Sequence, residues 1–133
     1  MSVVTARSAA LTVAGIGFTA VLCLAQAPGF KRTEVQRGDL TAAGREGVQA
    51  VAEFQPGSQS GKHTHPGEEI AYVLEGSLNV EIDGMPAKTF KAGQGFIVPS
   101  GKGHNAKNTG TGVAKVLGTY IVEKGKPLAT PVP

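Results

Sequence analysis

Two neighbouring segments decide how this chain is read: Gly57–Gly76, GSQSGKHTHPGEEIAYVLEG, and Gly93–Asn108, GQGFIVPSGKGHNAKN. Together they hold all three histidines of the 133 residues. The first spaces its marked residues as Gly57-x5-His63-x-His65-x3-Glu69-x6-Gly76, the second as Gly93-x5-Pro99-x-Gly101-x2-His104-x3-Asn108. Between and around these residues the chain reads as short strands punctuated by turns. Glu69–Leu74 is a mostly apolar strand, and Glu75-Gly76-Ser77 turns it into Leu78–Ile82, a hairpin with Asp83-Gly84 as its next turn. Lys88–Lys91 and Gly95–Val98 follow as short strands, the second stopped by Pro99-Ser100-Gly101, and His104–Asn108 makes another.

Outward from this stretch the pattern stays β. Phe30–Leu40 alternates weakly and reads as an edge strand with a turn at Arg37-Gly38-Asp39, followed by a loop from Thr41 to Gly47. Val48–Phe54 alternates well, and Val113–Val122 is a long final strand. The tail after Glu123 carries three prolines and should run extended along the surface or across a neighbouring subunit. No stripe with a 3.6-residue period survives beyond the N-terminal segment. Frequent turns and 19 glycines point to one all-β barrel or sandwich.

The ten marked positions form the paired signature of the cupins, and the chain resembles a small single-domain cupin. That resemblance implies a double-stranded β-helix barrel and a divalent transition metal held by His63, His65, Glu69 and His104. The residues agree with it. His63 and His65, two apart, share one face of a strand. Pro66-Gly67 should break the strand, so that Glu69 is re-aimed from an adjacent one. His104 arrives 39 residues after His65, on a strand that barrel closure brings alongside. A lone histidine in a barrel is more often packed than ligating, but here all three fall at ligand positions. Three imidazoles and a carboxylate suit Fe, Mn, Ni, Cu, Co or Zn and leave one or two coordination places open. A purely structural zinc site is more often closed by four ligands, commonly including cysteine.

The parity of Glu69 places Ala71 and Val73 inside the barrel, and Phe54, Phe96 and Val98 are further candidates to line a small apolar pocket. Tyr72 has the opposite parity and belongs outside or at a subunit interface, while Tyr120 is left unassigned. Glu68 reads as solvated. Gly76, Gly93, Gly101, Pro99 and Asn108 read as fold-holding residues. With every histidine consumed, a base would have to be Glu53, Glu81, Tyr120 or a hydroxide generated at the metal. The histidine-based, metal-free epimerase branch of the cupins is therefore set aside. Resemblance to quercetin-dioxygenase-like small cupins implies a metal-dependent dioxygenase acting on a small oxygenated molecule. A metal-dependent lyase or isomerase and a non-catalytic small-ligand binder remain as alternatives.

The first 27 residues differ from the rest. Arg7 is their one charge, and Leu11–Leu24 is an apolar run too short to span a bilayer comfortably but suited to the core of a signal peptide. Cleavage after Ala25 or Ala27 would leave an exported, periplasmic or secreted cupin domain from about residue 28 to 133 with no stable membrane span; an uncleaved anchor is the alternative. Cys23 leaves with this segment, so the mature chain has no thiol chemistry. The net charge of +3 comes with no basic run, which excludes a nucleic-acid footprint. A domain of this size buries a modest share of its surface, and a homodimer is expected.

Overall fold

The computed structural model describes residues 26–133, so the signal-peptide expectation, apart from Gln26 and Ala27, lies outside the described residues. Ten strands follow one another: β1 (Phe30–Asp39), β2 (Arg45–Phe54), β3 (His63–Thr64), β4 (Gly67–Glu75), β5 (Ser77–Ile82), β6 (Lys88–Lys91), β7 (Gly95–Val98), β8 (His104–Lys107), β9 (Ala114–Glu123) and β10 (Thr130–Pro131). No helix occurs among the described residues. The strands make two antiparallel five-stranded sheets, ordered β1-β2-β9-β4-β7 and β10-β3-β8-β5-β6. This is the all-β barrel that the sequence predicts.

The period-2 pattern does most of the work. Along β2 the residues Glu46, Val48, Ala50, Ala52 and Phe54 are buried and their neighbours half-buried, and β9 repeats this at Ala114, Val116, Gly118, Tyr120 and Val122. β4 alternates fully: Gly67, Glu69, Ala71 and Val73 point inward, while Glu68, Ile70, Tyr72 and Leu74 point outward. The inward residues form two apolar clusters. The larger joins Phe30, Phe54, Val73, Leu78, Val80 and Val116 from both sheets, and the smaller joins Val48, Ala50, Tyr120 and Val122 under Leu128. In the register of β4 against β9, Val73 faces Val116, Ala71 faces Gly118 and Glu69 faces Tyr120. Glu69 therefore sits where the larger cluster gives way to the smaller.

Several local expectations change. Arg37–Asp39 is strand, not turn; the reversal falls at Leu40–Gly44, closed by a hydrogen bond from Leu40 N to Arg45 O of 3.0 Å. β2 accordingly starts at Arg45, because the polar Arg45–Gly47 pairs with Glu123–Ile121 of β9 and with β1. Hydropathy could not show this, since the hydrogen bonds there are backbone bonds. β4 and β5 do not pair; Gly76, at φ 71°, carries the chain from one sheet to the other, and the hairpin is β5–β6 around Asp83-Gly84. The proline-rich tail does not lie free. β10 pairs with β3, setting Pro131 opposite His63 and Thr130 opposite Thr64.

Asn108 is a fold-holding residue, as its position predicts. Only 1% exposed, it donates to Phe54 O at 3.0 Å and Gly112 O at 2.7 Å, and it accepts from Gly110 N at 2.9 Å. Asn108→Ala leaves those backbone groups buried without partners. Chemical denaturation should show a loss of about 2–4 kcal/mol, with metal content per chain unchanged; an unaltered midpoint would contradict this role.

Candidate metal centre

Two cross-strand pairs, one from each sheet, and one linker residue build the site. In one sheet His63 of β3 lies opposite His104 of β8. In the other, Glu69 of β4 lies opposite Tyr120 of β9. His65 stands in the link between β3 and β4, outside any strand, so its inward direction comes from the turn at Pro66 rather than from strand parity. All four candidate ligands are buried, between 3% and 7% exposed. The three imidazoles crowd together with ring centroids 4.3–4.9 Å apart, and one nitrogen from each lies within 4.8 Å of the others.

Backbone carbonyls decide which nitrogens those are. His63 Nδ1 is 2.7 Å from Gly61 O, His104 Nδ1 is 3.0 Å from Lys102 O, and His65 Nδ1 is 2.5 Å from Leu128 O. A carbonyl only accepts, so each Nδ1 must carry a proton, and in the neutral ring each Nε2 then presents a lone pair. The Nε2 atoms of His65 and His104 point at Glu69 Oε2, at 3.2 and 3.3 Å. Lone pairs facing a carboxylate repel one another unless a proton or a cation lies between them. His65 Nε2, moreover, is buried with no hydrogen-bond partner. Such a donor set, each outer nitrogen tied to a carbonyl, fits a divalent transition metal. His63, His65, His104 and Glu69 would hold it.

Electrostatics point the same way. Burial pushes the His63 imidazole down to about 4, the Gly61 carbonyl partly offsetting this, so the ring is a neutral ligand at neutral pH. Burial alone would raise the Glu69 carboxyl; positive charge at the His104 and His65 Nε2 atoms, a proton or a bound cation, outweighs it and holds the group well below the usual carboxylate range. Burial and the negative charge of Glu69 push the Tyr120 phenol above its ordinary value, so it stays protonated. The Tyr120 ring packs edge-on against His65 at 4.7 Å and folds back over its own strand. A Cβ at Gly118 would stand 2.6 Å from the Tyr120 hydroxyl, so glycine there makes the room that this rotamer needs.

A cavity of about 30 Å³ adjoins the ligands, lined by Phe30, Arg32, Phe54, Leu78, Phe96 and Tyr120 among others. Phe54 and Phe96 thus lie where the sequence puts them. Ala71, Val73 and Val98 are buried inside the barrel but do not line the cavity; Ala71 and Val73 pack in the larger apolar cluster instead. Glu81 is exposed and Glu53 points to the outer face of its sheet, so neither reaches the site; Tyr120 does. Arg32 and the carbonyl of Leu128 escape sequence reasoning altogether. Arg32 sits in a weakly alternating edge strand, and a carbonyl carries no residue signal. The tail supplies an outer contact to a ligand. A chain ending at Lys126 should therefore bind metal about 10- to 100-fold more weakly in competition titrations while keeping its β spectrum; unchanged affinity would show that His65 needs no such anchor.

A family model described as the cupin domain matches residues 50–123. Protein SchB of Streptomyces halstedii is 35% identical over 78 residues, 58% of this chain and 56% of its own length. The chain spans about half the length of such curated relatives. A conserved protein with a double-stranded β-helix domain from Klebsiella pneumoniae superposes with a TM-score of 0.64 at 21% identity, over 77% of this chain and 86% of that one. A predicted oxalate decarboxylase from Thermotoga maritima is 29% identical with a TM-score of 0.52, over 59% of this chain and 80% of that one. With the matched segment spanning both halves of the histidine signature, the chain belongs to the cupin domain family.

Proposed function

We propose that this cupin is an exported, metal-dependent protein that acts on a small oxygenated organic molecule. The observation that carries the reading is the set of three protonated Nδ1 atoms, each bonded to a backbone carbonyl, that leaves three clustered Nε2 lone pairs, those of His65 and His104 facing the Glu69 carboxylate. Four ligands leave coordination places open, which suits a reactive centre better than a structural one. A metal bound there would supply Lewis-acid chemistry or, if redox-active, a place for O₂ beside a chelating substrate.

The chain's own residues do the rest. His63, His65, His104 and Glu69 hold the ion, and apolar Phe30, Phe54, Leu78 and Phe96 keep bulk water from it. Tyr120, held in its protonated form, can donate a hydrogen bond from its hydroxyl. The cavity of about 30 Å³ suits a ligand of few heavy atoms better than the ring system of a flavonol. A dioxygenase reading therefore calls for a substrate of few heavy atoms, which agrees with likeness to a protein described as a predicted oxalate decarboxylase. The short connections between strands are what favour the second reading, a binder that holds a small ligand without turnover.

Ile70, Tyr72, Leu74 and Ile97 are 46–59% exposed on the outer face of β4 and β7, where Ile70 and Ile97 lie side by side, and this apolar surface is where a second copy would dock. Export rests on the leader reading of residues 1–27.

Elemental mass spectrometry on untagged protein from the exported fraction tests the proposal. About one Fe, Mn, Ni or Cu per chain is expected, with O₂ consumed in the presence of a small oxygenated acid. His63→Ala and His104→Ala should lose stoichiometric metal while remaining soluble barrels. One Zn without O₂ uptake would support the lyase or binding reading over dioxygenation, and full metal in both variants would overturn the ligand assignment.

A further inference from the structure

We propose that Arg32 receives the carboxylate of a small organic acid, entering by the groove between β1, β3 and the C-terminal tail. The inference rests on the metal centre proposed above and names the chemical class of its ligand. Arg32 lies on β1 opposite Ala52, and its side chain lines both the inner cavity and an outer groove of about 160 Å³. Phe30, Ser60 and His63 share this position, so these four residues form the passage between the two spaces. Lys62, Ala129 and Pro131 help to wall the outer groove, and among the described residues no acidic one lines it.

Arg32 is a cation without a counter-ion. Among the described residues no carboxylate lies within ion-pair distance of it, whereas Lys62 in the same groove is paired with Asp83 at 3.0 Å. Its guanidinium carbon stands 5.5 Å from the Phe30 ring centre and 5.9 Å from that of Tyr120, a placement that holds the fork rigid between two aromatic rings. Its Nε is buried with no hydrogen-bond partner. The guanidinium lies against the Tyr120 hydroxyl, and its Nη2 meets His63 Nε2 at 3.4 Å.

That last contact and a metal exclude one another, because the lone pair on His63 Nε2 serves one of them. When the ion takes it, the guanidinium loses that acceptor and faces a second cation. A divalent ion with three neutral imidazoles and one carboxylate keeps one net positive charge, and Arg32 adds another. Two like charges in a water-poor space are costly, and an anion placed between them removes the cost. A carboxylate matches the planar guanidinium fork, and an oxygen on the adjacent carbon reaches toward an open coordination place. Lining and volume together select an acid of few heavy atoms.

The test uses glycolate and its neutral counterpart glycolamide as probes, titrated calorimetrically into metal-loaded wild type, Arg32→Gln and Arg32→Lys, with metal content measured on each sample. Expected are equal metal in all three proteins and glycolate bound about tenfold or more weakly by Arg32→Gln. Arg32→Lys should fall between, and glycolamide should be indifferent to the change. Equal glycolate affinity in wild type and Arg32→Gln, with metal in both, would overturn the role of Arg32 and leave the metal centre standing. Loss of metal from Arg32→Gln would also overturn it, making Arg32 a support of the centre. Absence of metal from the wild type would overturn the centre and this inference with it.

Discussion

Three backbone carbonyls, those of Gly61, Lys102 and Leu128, set the chemistry of the whole interior. Each accepts a hydrogen bond from the Nδ1–H of one histidine, and each thereby leaves the other ring nitrogen a bare acceptor. Reversing one tautomer would place a hydrogen where the lone pairs meet and spoil the donor set. The three carbonyls come from different parts of the chain: the approach to β3, the turn before β8, and the tail beyond β9. Barrel closure is what brings them together. The fold is in this sense a device for holding three imidazole rings by their outer edges.

Burying three imidazoles and a carboxylate is expensive, and the architecture confines the expense. Glu69 projects from the strand that also buries Ala71 and Val73, at the boundary of the two apolar clusters, so the polar group interrupts the core at one level only. Tyr120 occupies the partner position on β9 and closes the site from the side of the smaller cluster. Its rotamer needs the empty space above Gly118. One glycine without a positive φ thus determines where an aromatic wall of the site can stand.

Much of this was legible in the sequence, and the reasons differ by feature. Strand alternation at Val48–Phe54 and Glu69–Leu74 reports burial directly, so the barrel and the inward direction of Glu69, Ala71 and Val73 could be read. The four ligand candidates could be read because residue type and spacing carry them. What parity could not supply was distance along the barrel axis: Ala71, Val73 and Val98 point inward as expected, yet lie away from the cavity. Arg32 was hidden, and Tyr120, readable only as one candidate base among several, could not be placed, because their positions in the site depend on cross-strand register, with Ala52 and Glu69 respectively. Pairing of the tail with β3 was hidden for a different reason, since proline-rich sequence advertises extension but not a partner.

X-ray absorption at the metal edge of the purified protein tests most directly whether the converging nitrogens are a coordination sphere. The account predicts three imidazole rings, seen by their multiple scattering, and at least one oxygen among the nearest neighbours at about 2.0–2.2 Å. A spectrum with one imidazole or none, or with an all-oxygen shell, would contradict it.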